Sequence, residues 1–373
     1  MPHIVARGAV VLAMLVAATG CSGSDSRPAP SAARVLFDEV LAKSSPGQWR
    51  STGTDVVEVW VCHVPTGSTA KEFGGLPLRL ALAPSPLAGL FQQQVSRYFD
   101  RVSHGAYSPS FVAGGEVSLA LSDGSKECVE SALAQASATA HVVLAVADAE
   151  QAPPAPGGVG SGGTVTPVRT AVASTRRYAY VGGADFDRAT WGDNPPMDLV
   201  EHELGHTLGW VHSGVSSAGD YLSALDVMSN SAAPRDVNPD RRDAPDVLAL
   251  HRVLAGWIPA ADVVVADGAV TATLAPGNGV DGMRLLVLPV DAAHFLTVEF
   301  VPNDGYNDHL PRAGVAVHRV SVADGAVVDI EPLMGDAPFT ALLQPGDAQV
   351  FDGWTVQVGP GGQVTATATA TPT

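Results

Sequence analysis

The most informative segment of the sequence is His202-Glu203-Leu204-Gly205-His206-Thr207-Leu208-Gly209-Trp210-Val211-His212. His202 and His206 are four positions apart, so on a helix they lie on one face, about one turn from each other. Two imidazoles in that arrangement can bind the same Zn²⁺ ion. The spacing therefore predicts a helix that carries two ligands of a metal site.

The residues around the histidines predict where this helix begins, ends and packs. Asn194 and Pro195 are typical of an N-cap and a first helical residue, so they predict the start. Gly209 can adopt a left-handed conformation and turn the chain sharply after the last helical turn. Three apolar side chains fall on the face opposite the histidines and are expected to anchor the helix in the core: Val200, Leu204 and Leu208.

His212 lies beyond the predicted turn and is the candidate for a third ligand. Three protein ligands leave one position of a tetrahedral zinc ion open to water, as hydrolysis requires. Glu203 is expected to point away from the metal and to act as general base, taking a proton from that water and passing it to a leaving amine. Two alternatives remain at this point: histidines that bind nothing, and a site that holds metal without catalysis.

The stretch resembles the consensus of the metzincin peptidases, His-Glu-x-x-His-x-x-Gly-x-x-His. Metzincins also carry a methionine turn (Met-turn) beneath the metal, and the resemblance assigns Met228 to it. Tyr221 followed by Asp226-Val227-Met228 is similar to the gametolysin and immune-inhibitor-A-like families. Some metzincins place a tyrosine two residues after the methionine. Asn230 has that position here, so no tyrosine is assigned to catalysis.

The resemblance to those families covers roughly residues 56–330. Leu254-Ala255-Gly256-Trp257 is similar to the Leu-Gly-Trp helix end of those families, and the segments between Val298 and Val320 are similar to their β-domain. The resemblance implies an α+β fold. Its first part would be a metzincin-like catalytic domain, with a twisted mixed sheet, an active-site helix and the Met-turn. An all-β, sandwich-like C-terminal domain would follow, and the implied activity is that of a zinc endopeptidase.

The N-terminal residues are typical of a targeting segment. Arg7 precedes an apolar stretch from Ala9 to Ala18 that is too short to span a bilayer. Ala18-Thr19-Gly20-Cys21 resembles a bacterial lipobox, so residues 1–21 are predicted to be a lipoprotein signal peptide, with Cys21 lipidated. The alternative is an ordinary signal peptide with an incidental cysteine. Both predict an extracytoplasmic protein, either anchored to the cell membrane through Cys21 or secreted.

The two remaining cysteines are Cys62 and Cys128. In an oxidising compartment an isolated pair most simply forms one disulfide, and this is the prediction. The alternative is a thiol that caps a metal as an inhibitory switch. Neither cysteine lies in a short pro-segment, which favours the disulfide.

The chain divides by pattern into four segments. Residues 1–21 are the signal peptide, and residues 22–54 are predicted to be a tether with one short helix over residues 33–43. Residues 55–260 would form the catalytic domain. Residues 261–373 contain short alternating segments separated by turn residues, which predict an antiparallel β-sandwich.

Several elements are predicted inside the catalytic segment. Helical spacing of apolar residues predicts one helix over Pro86–Arg101 and another over Glu127–Ala138. Alternation predicts strands over Val56–Val64 and Val117–Leu121. The Pro- and Gly-rich residues 151–166 are predicted to be a loop.

Charge and the other polar residues limit the partners. The net charge of −17 argues against a nucleic-acid partner, because phosphate binding needs clustered Lys and Arg. An acidic run offers a possible Ca²⁺ site, but it lacks the EF-hand spacing, so a solvated loop is favoured; its members are Asp236, Asn238, Asp240, Asp243 and Asp246. Seven other histidines are expected to be surface or core residues: His63, His104, His141, His251, His294, His309 and His318.

The patterns together predict a monomeric, extracytoplasmic zinc-dependent endopeptidase that hydrolyses a protein or peptide substrate, with Glu203 as base. The alternative is a surface-anchored binding or adhesion protein whose zinc is structural or catalytically silent. A metal held by three protein ligands and a water favours the enzyme. Four protein ligands would favour the binding protein.

Overall fold

The structure is a computed structural model that describes residues 32–43, 51–73, 79–151, 157–162, 176–215, 221–334 and 341–369. Cys21 and the rest of the predicted signal peptide lie outside the described residues, as do most of the predicted tether and residues 152–156 and 163–166 of the predicted loop. The helix predicted over residues 33–43 is present within the described part.

The described residues form eight helices: α1 Ala32–Lys43, α2 Pro84–Gln93, α3 Val95–Val102, α4 Ser125–Gln135, α5 Arg188–Trp191, α6 Asp198–Thr207, α7 Ala233–Val237 and α8 Ala249–Leu254. They also form fourteen strands: β1 Val56–His63, β2 Ser110–Ser118, β3 Val142–Ala147, β4 Gly158–Ser161, β5 Arg177–Val181, β6 Val263–Val265, β7 Val270–Thr273, β8 Leu285–Pro289, β9 His294–Val301, β10 Gly314–Ala323, β11 Ala326–Pro332, β12 Ala348–Phe351, β13 Trp354–Val358 and β14 Gln363–Ala368. The mixture of helices and several sheets confirms the α+β class.

The first sheet has the strand order β2-β1-β3-β5-β4. Its first four strands are parallel, and β4 pairs antiparallel with β5 at one edge. Side chains alternate between the two faces of β1: Val57 and Val59 pack with α2, α3 and α6, whereas Trp60 and Cys62 pack with α4. Helices on both faces explain why β1 and β3 are almost wholly buried.

The C-terminal strands form two further sheets, β11-β10-β9-β8-β6 and β12-β13-β14-β7. Apolar side chains from both sheets meet in one buried cluster, including Leu286, Val317 and Val356. The prediction of a β-rich C-terminal part is confirmed. Its strands are antiparallel except β6, which runs parallel to β8, so the purely antiparallel arrangement is wrong at that edge.

A shared core connects the β-rich part to the residues before it. Phe37 of α1 and Leu250 of α8 lie in one buried cluster with Leu285 and Phe295 of the second sheet. The described residues belong to one compact unit. The division into domains at residue 260 stays a prediction.

Three predictions for the elements between residues 86 and 161 are corrected. The helix predicted over Pro86–Arg101 is broken at Gln94, which has φ −106° and ψ −60°. Apolar spacing continues across this residue, so the pattern cannot reveal the break. The strand predicted over Val117–Leu121 is β2, which begins at Ser110 and ends before a turn in which the Ala120 N–H donates to Asp123. Gly158–Ser161 is a strand inside the predicted loop.

In the described residues, no helix combines the length and the apolar character needed to cross a membrane.

Candidate metal centre

The centre is built on α6, which lies against β4 and β5 of the first sheet. Val200 and Leu204 are buried in the main cluster, and Leu208 follows them just after the helix, as their spacing predicted. The predicted start is wrong, because the helix begins at Asp198 and not at Pro195. Pro196 follows Pro195 and disfavours the helical conformation there. The Met197 N–H, just before the helix, donates to the Arg242 carbonyl at 2.7 Å.

Gly209 reverses the chain after α6. Its φ of 80° lies in the left-handed region, where a side chain would be strained. Trp210 follows and is buried, with its ring stacked on His251 and edge-on to Trp257. It therefore packs the turn, and the turn brings His212 back to the helix.

The structure brings the three predicted histidines together. One nitrogen of each of His202, His206 and His212 lies within 4.8 Å of the other two, so this group could hold a metal ion. Nε2 of His206 and Nε2 of His212 are 2.9 Å apart. Within the described residues this is the one such group of three or more potential ligands.

Backbone carbonyls orient two of the imidazoles. His202 Nδ1 donates to the Val227 carbonyl at 2.7 Å, and His206 Nδ1 donates to the Trp210 carbonyl at 2.9 Å. With Nδ1 protonated, Nε2 of each ring keeps its lone pair for a metal. Hydrogen bonds of this kind fix the tautomer and the direction of metal-binding histidines.

Burial keeps the three rings neutral. It lowers the pKa of His202 to about 4 and the pKa of His206 to about 3, and it also lowers the pKa of His212. A neutral imidazole is the form that binds a metal. The donor set therefore fits a cation at neutral pH without first releasing protons.

Glu203 lies beside the histidines and is only 4% exposed. Its Oε2 has no hydrogen-bond partner among the described residues. Burial raises the pKa of this carboxyl to about 8, close to the range in which a group can both accept and return a proton at neutral pH. A buried carboxylate oxygen without a partner is what a proton-transferring base requires.

The edge strand β4 passes directly over this carboxylate. A Cβ on Gly158 would overlap the Glu203 carboxyl group, and one on Gly160 would overlap the backbone of α6. Glycine therefore permits a close approach that any side chain would prevent. β4 is the last strand at this edge of the described sheet.

Tyr221 also contributes to the centre, although sequence reasoning assigned no tyrosine to catalysis. Its hydroxyl lies 3.2 Å from His212 Nε2, and its ring is edge-on to both His202 and His212. Tyr221 is 42% exposed and lines the same cavity as His202 and Glu203. The only sequence signal was the position of Tyr221 shortly before Asp226-Val227-Met228.

A cavity of about 210 Å³ opens beside His202 and Glu203. Glu203 and His202 form one side of it, and the remaining lining is uncharged: Gly157, Gly158, Leu199, Tyr221, Ser229, Asn230, Ser231 and Ala232. The cavity is large enough for an uncharged side chain of a ligand beside the metal position.

Met228 is fully buried, and its sulfur packs closely against Gly205 of α6. Its carbonyl accepts a hydrogen bond from the Ser213 N–H at 3.0 Å, directly after His212. Asp226, two residues earlier, is also fully buried. Burial by itself raises its pKa, but the neighbouring His251 and the hydroxyl of Ser213 together hold the pKa of Asp226 below its ordinary value.

The other predicted residues lie elsewhere. Cys62 of β1 and Cys128 of α4 are bonded to each other, with their Cα atoms 5.8 Å apart, so the predicted disulfide is confirmed and neither sulfur caps the metal site. In the acidic run, Asp246 is paired with Arg252, and Asp243 lies 3.9 Å from Arg97.

Neither a family model nor a curated protein matches the chain, so no family is shown for it and its chemistry rests on the geometry of these residues.

Proposed function

We propose that this protein is a zinc-dependent endopeptidase of the metzincin type. The observation that supports this most strongly is the combination of three neutral imidazoles with a buried, unpartnered Glu203 oxygen beside an open cavity. A purely structural metal site is normally closed by four protein ligands. Within the described residues this group offers three.

Zinc is the metal that fits this donor set best. Three imidazoles with one open position form a common zinc site of hydrolytic enzymes, whereas Ca²⁺ and Mg²⁺ prefer oxygen ligands. When bound, zinc would polarise a scissile carbonyl and lower the pKa of its water. His202, His206 and His212 would hold it, with Val227 and Trp210 keeping two of the rings in place.

Glu203 and Tyr221 would carry out the protein's share of the chemistry. Glu203 would accept a proton from the attacking water and then donate it to the leaving nitrogen, so the carboxylate is regenerated. The hydroxyl of Tyr221 would donate a hydrogen bond to the oxygen that gains negative charge as the carbonyl is attacked. This proposed role differs from the expectation that no tyrosine takes part in catalysis.

An extended peptide is the ligand that the surroundings fit. β4 is the edge strand of the described sheet, and the addition of an extended peptide beside an edge strand is a common mode of peptide binding. The peptide would then lie across the carboxylate of Glu203, and one of its side chains would enter the uncharged cavity.

The extracytoplasmic location and the lipid anchor on Cys21 belong to the same proposal. The Cys62–Cys128 disulfide supports this location, because such bonds persist in oxidising compartments.

The test is Glu203→Gln in the full-length protein, with casein as substrate. We expect the variant to bind zinc as the wild type does and to lose casein hydrolysis, because the amide cannot accept the water proton. Glu39→Gln, an exposed change on α1, serves as the matched control and should cleave normally. Equal cleavage by Glu203→Gln and the wild type would disprove the mechanism. Zinc binding without any chelator-sensitive cleavage by the wild type would instead favour the surface-anchored binding protein.

A further inference from the structure

Each candidate ligand depends on a neighbouring backbone segment for its position. His202 is held by the Val227 carbonyl and His206 by the Trp210 carbonyl. His212 is held through the next residue, Ser213, whose N–H donates to Met228. These segments come from different parts of the chain, so something must keep them in register.

One buried residue, Asp226, is connected to the supports of all three ligands, either directly or through one further residue. Asp226 is fully buried, and its Oδ2 accepts a hydrogen bond from the Ser213 hydroxyl at 2.6 Å. The same oxygen lies 3.2 Å from His251 Nδ1. The other oxygen, Oδ1, accepts from the Leu248 N–H at 3.2 Å. A buried carboxylate with several polar partners is costly to displace, so its partners are fixed relative to one another.

Two of these contacts lead to the second and third ligands. The Ser213 hydroxyl fixes the residue that follows His212. The ring of His251 stacks on Trp210 at 5.4 Å between centroids, and the carbonyl of Trp210 orients His206. Asp226 therefore acts on one ligand through a hydrogen bond and on another through a stacked ring.

Asp226 is connected to the first ligand, His202, through its own backbone and that of Val227. The Asp226 carbonyl accepts from the Ser229 N–H at 3.0 Å, which closes a tight turn around Val227 and Met228. Val227 in that turn presents its carbonyl to His202. The same turn carries Met228 against α6.

We infer that Asp226 is a positioning residue for the metal centre, which holds the supports of all three histidines through Ser213, His251 and the Val227 turn. This inference rests on the metal binding that the proposed function requires, and not on peptide hydrolysis. Asp226 is not counted as a metal ligand, because the group that could hold a metal consists of the three histidines.

If Asp226 only stabilised the fold, its substitution would affect zinc binding no more than the substitution of another buried aspartate. Asp246 is the residue chosen for this comparison. Asp246 is equally buried and its side chain pairs with Arg252, but its carboxylate accepts from Val247 and not from a ligand support among the described residues. Asp226→Asn and Asp246→Asn therefore remove similar buried charges. Both substitutions keep the backbone contacts with the Val227 turn, which include the hydrogen bond from the Val227 N–H to the Asp246 carbonyl. Only Asp226→Asn changes a side chain that contacts Ser213 and His251.

The experiment measures Zn²⁺ affinity and the visible absorption of the Co²⁺-loaded protein for full-length wild type, Asp226→Asn and Asp246→Asn, beside their free energies of unfolding without metal. We expect Asp226→Asn to weaken zinc binding by about 10–100-fold and to change the cobalt spectrum. Asp246→Asn should lose stability but keep the wild-type zinc affinity and spectrum. Ser213→Ala, which removes one contact of Asp226, should weaken zinc binding less but in the same direction.

Wild-type zinc affinity in folded Asp226→Asn would overturn the inference, and so would an equal loss in Asp246→Asn. If Asp226→Asn does not fold, Ser213→Ala decides: weaker zinc binding supports the role, and unchanged binding refutes it. A wild type that binds no metal refutes both the inference and the proposed function. A wild type that binds zinc without cleaving peptides refutes only the proposed function, because the readout here is metal binding.

Discussion

The Tyr221 hydroxyl oxygen lies 3.2 Å from Nε2 of His212, the atom through which that histidine would bind a metal. A donor in this position can stabilise negative charge that develops on a substrate oxygen beside the metal. We therefore expect Tyr221→Phe to lower kcat by about 100–1,000-fold, the usual cost of one lost oxyanion donor. KM and zinc affinity should change little, because the ring and its contacts with His202 remain.

The control for this change is Tyr306→Phe. Tyr306 is buried and its hydroxyl has no hydrogen-bond partner among the described residues, so its removal should not alter kcat. Steady-state kinetics on one peptide substrate compare the two variants. A Tyr221→Phe variant with unchanged kcat would show that the hydroxyl takes no part in the transition state of the proposed reaction.

Gly158 offers a second test, because its Cα faces the carboxylate of Glu203. Gly158→Ala places a methyl group where that carboxylate now lies, so either Glu203 or β4 must move. A displacement of about 1 Å at a reacting group can cost on the order of 100-fold in rate, and we expect a loss of that size in kcat. Zinc affinity should be retained, because the atoms nearest to the added methyl group belong to Glu203 and not to a histidine.

Gly89→Ala is the matched control. Gly89 lies in α2, and a Cβ there meets no atom within 4 Å. We expect this variant to cleave at the wild-type rate. A Gly158→Ala enzyme as active as Gly89→Ala would mean that the close approach of β4 has no bearing on the base.

The parts of the site that were predictable from sequence are those set by local geometry. The four-residue spacing of His202 and His206 requires one helix face, and Gly209 supplies the turn that returns His212. The helix start was predicted wrongly from one local rule. Asn194 and Pro195 satisfy the rule for a cap, but Pro196 disfavours the helical conformation at Pro195, and the helix begins at Asp198.

The remaining parts depend on contacts between residues far apart in sequence. Tyr221 reaches His212 across a segment with no periodic pattern. Asp226 meets Leu248 and His251 only after α8 has packed in the core. β4 has the composition of a loop because its glycines serve the approach to Glu203, and composition alone favours the wrong assignment.

His63 makes the stability of the first sheet depend on pH. Its Nδ1 lies 3.0 Å from Asp148, and its Nε2 lies 3.2 Å from Glu116, so three parallel strands or their ends meet at one imidazole. The hydrogen bond with Asp148 is the main cause of a pKa above the ordinary value of 6.5. A raised pKa in the folded state means that the protonated ring stabilises the fold below pH 6.5, and that this contribution is lost as pH rises through the folded pKa.

We therefore expect the wild type to exceed His63→Gln in free energy of unfolding at about pH 6, with the difference shrinking toward about pH 9. Urea unfolding at both pH values measures it. His104→Gln, an exposed change in the turn after α3, is the control and should show no such trend. A difference between wild type and His63→Gln that stays constant with pH would contradict the prediction.

Glu299 of β9 also makes stability depend on pH, but its charged form destabilises the fold, whereas the charged form of His63 stabilises it. Its Oε2 accepts from the Ala249 N–H at 2.9 Å, while Oε1 has no hydrogen-bond partner among the described residues. Burial raises the pKa of Glu299 from 4.5 to about 7. An acid whose pKa is raised on folding favours the protonated form, so the fold loses stability as pH rises between those two values. Above about pH 7 the full cost of the buried charge is present.

Glu299→Gln keeps an acceptor for Ala249 and removes this charge. The buried amide also lowers the free energy of unfolding, but by the same amount at every pH. The pH dependence of the difference in free energy of unfolding between variant and wild type therefore reports on the carboxylate alone. From about pH 5.5 to about pH 8.5 we expect the variant to gain about 2 kcal/mol relative to the wild type. Glu331→Gln is the control. It makes the same chemical change at an exposed position, so it should show no such gain. Parallel stability curves for Glu299→Gln and the wild type across this range would show that Glu299 is already ionised at the lower pH.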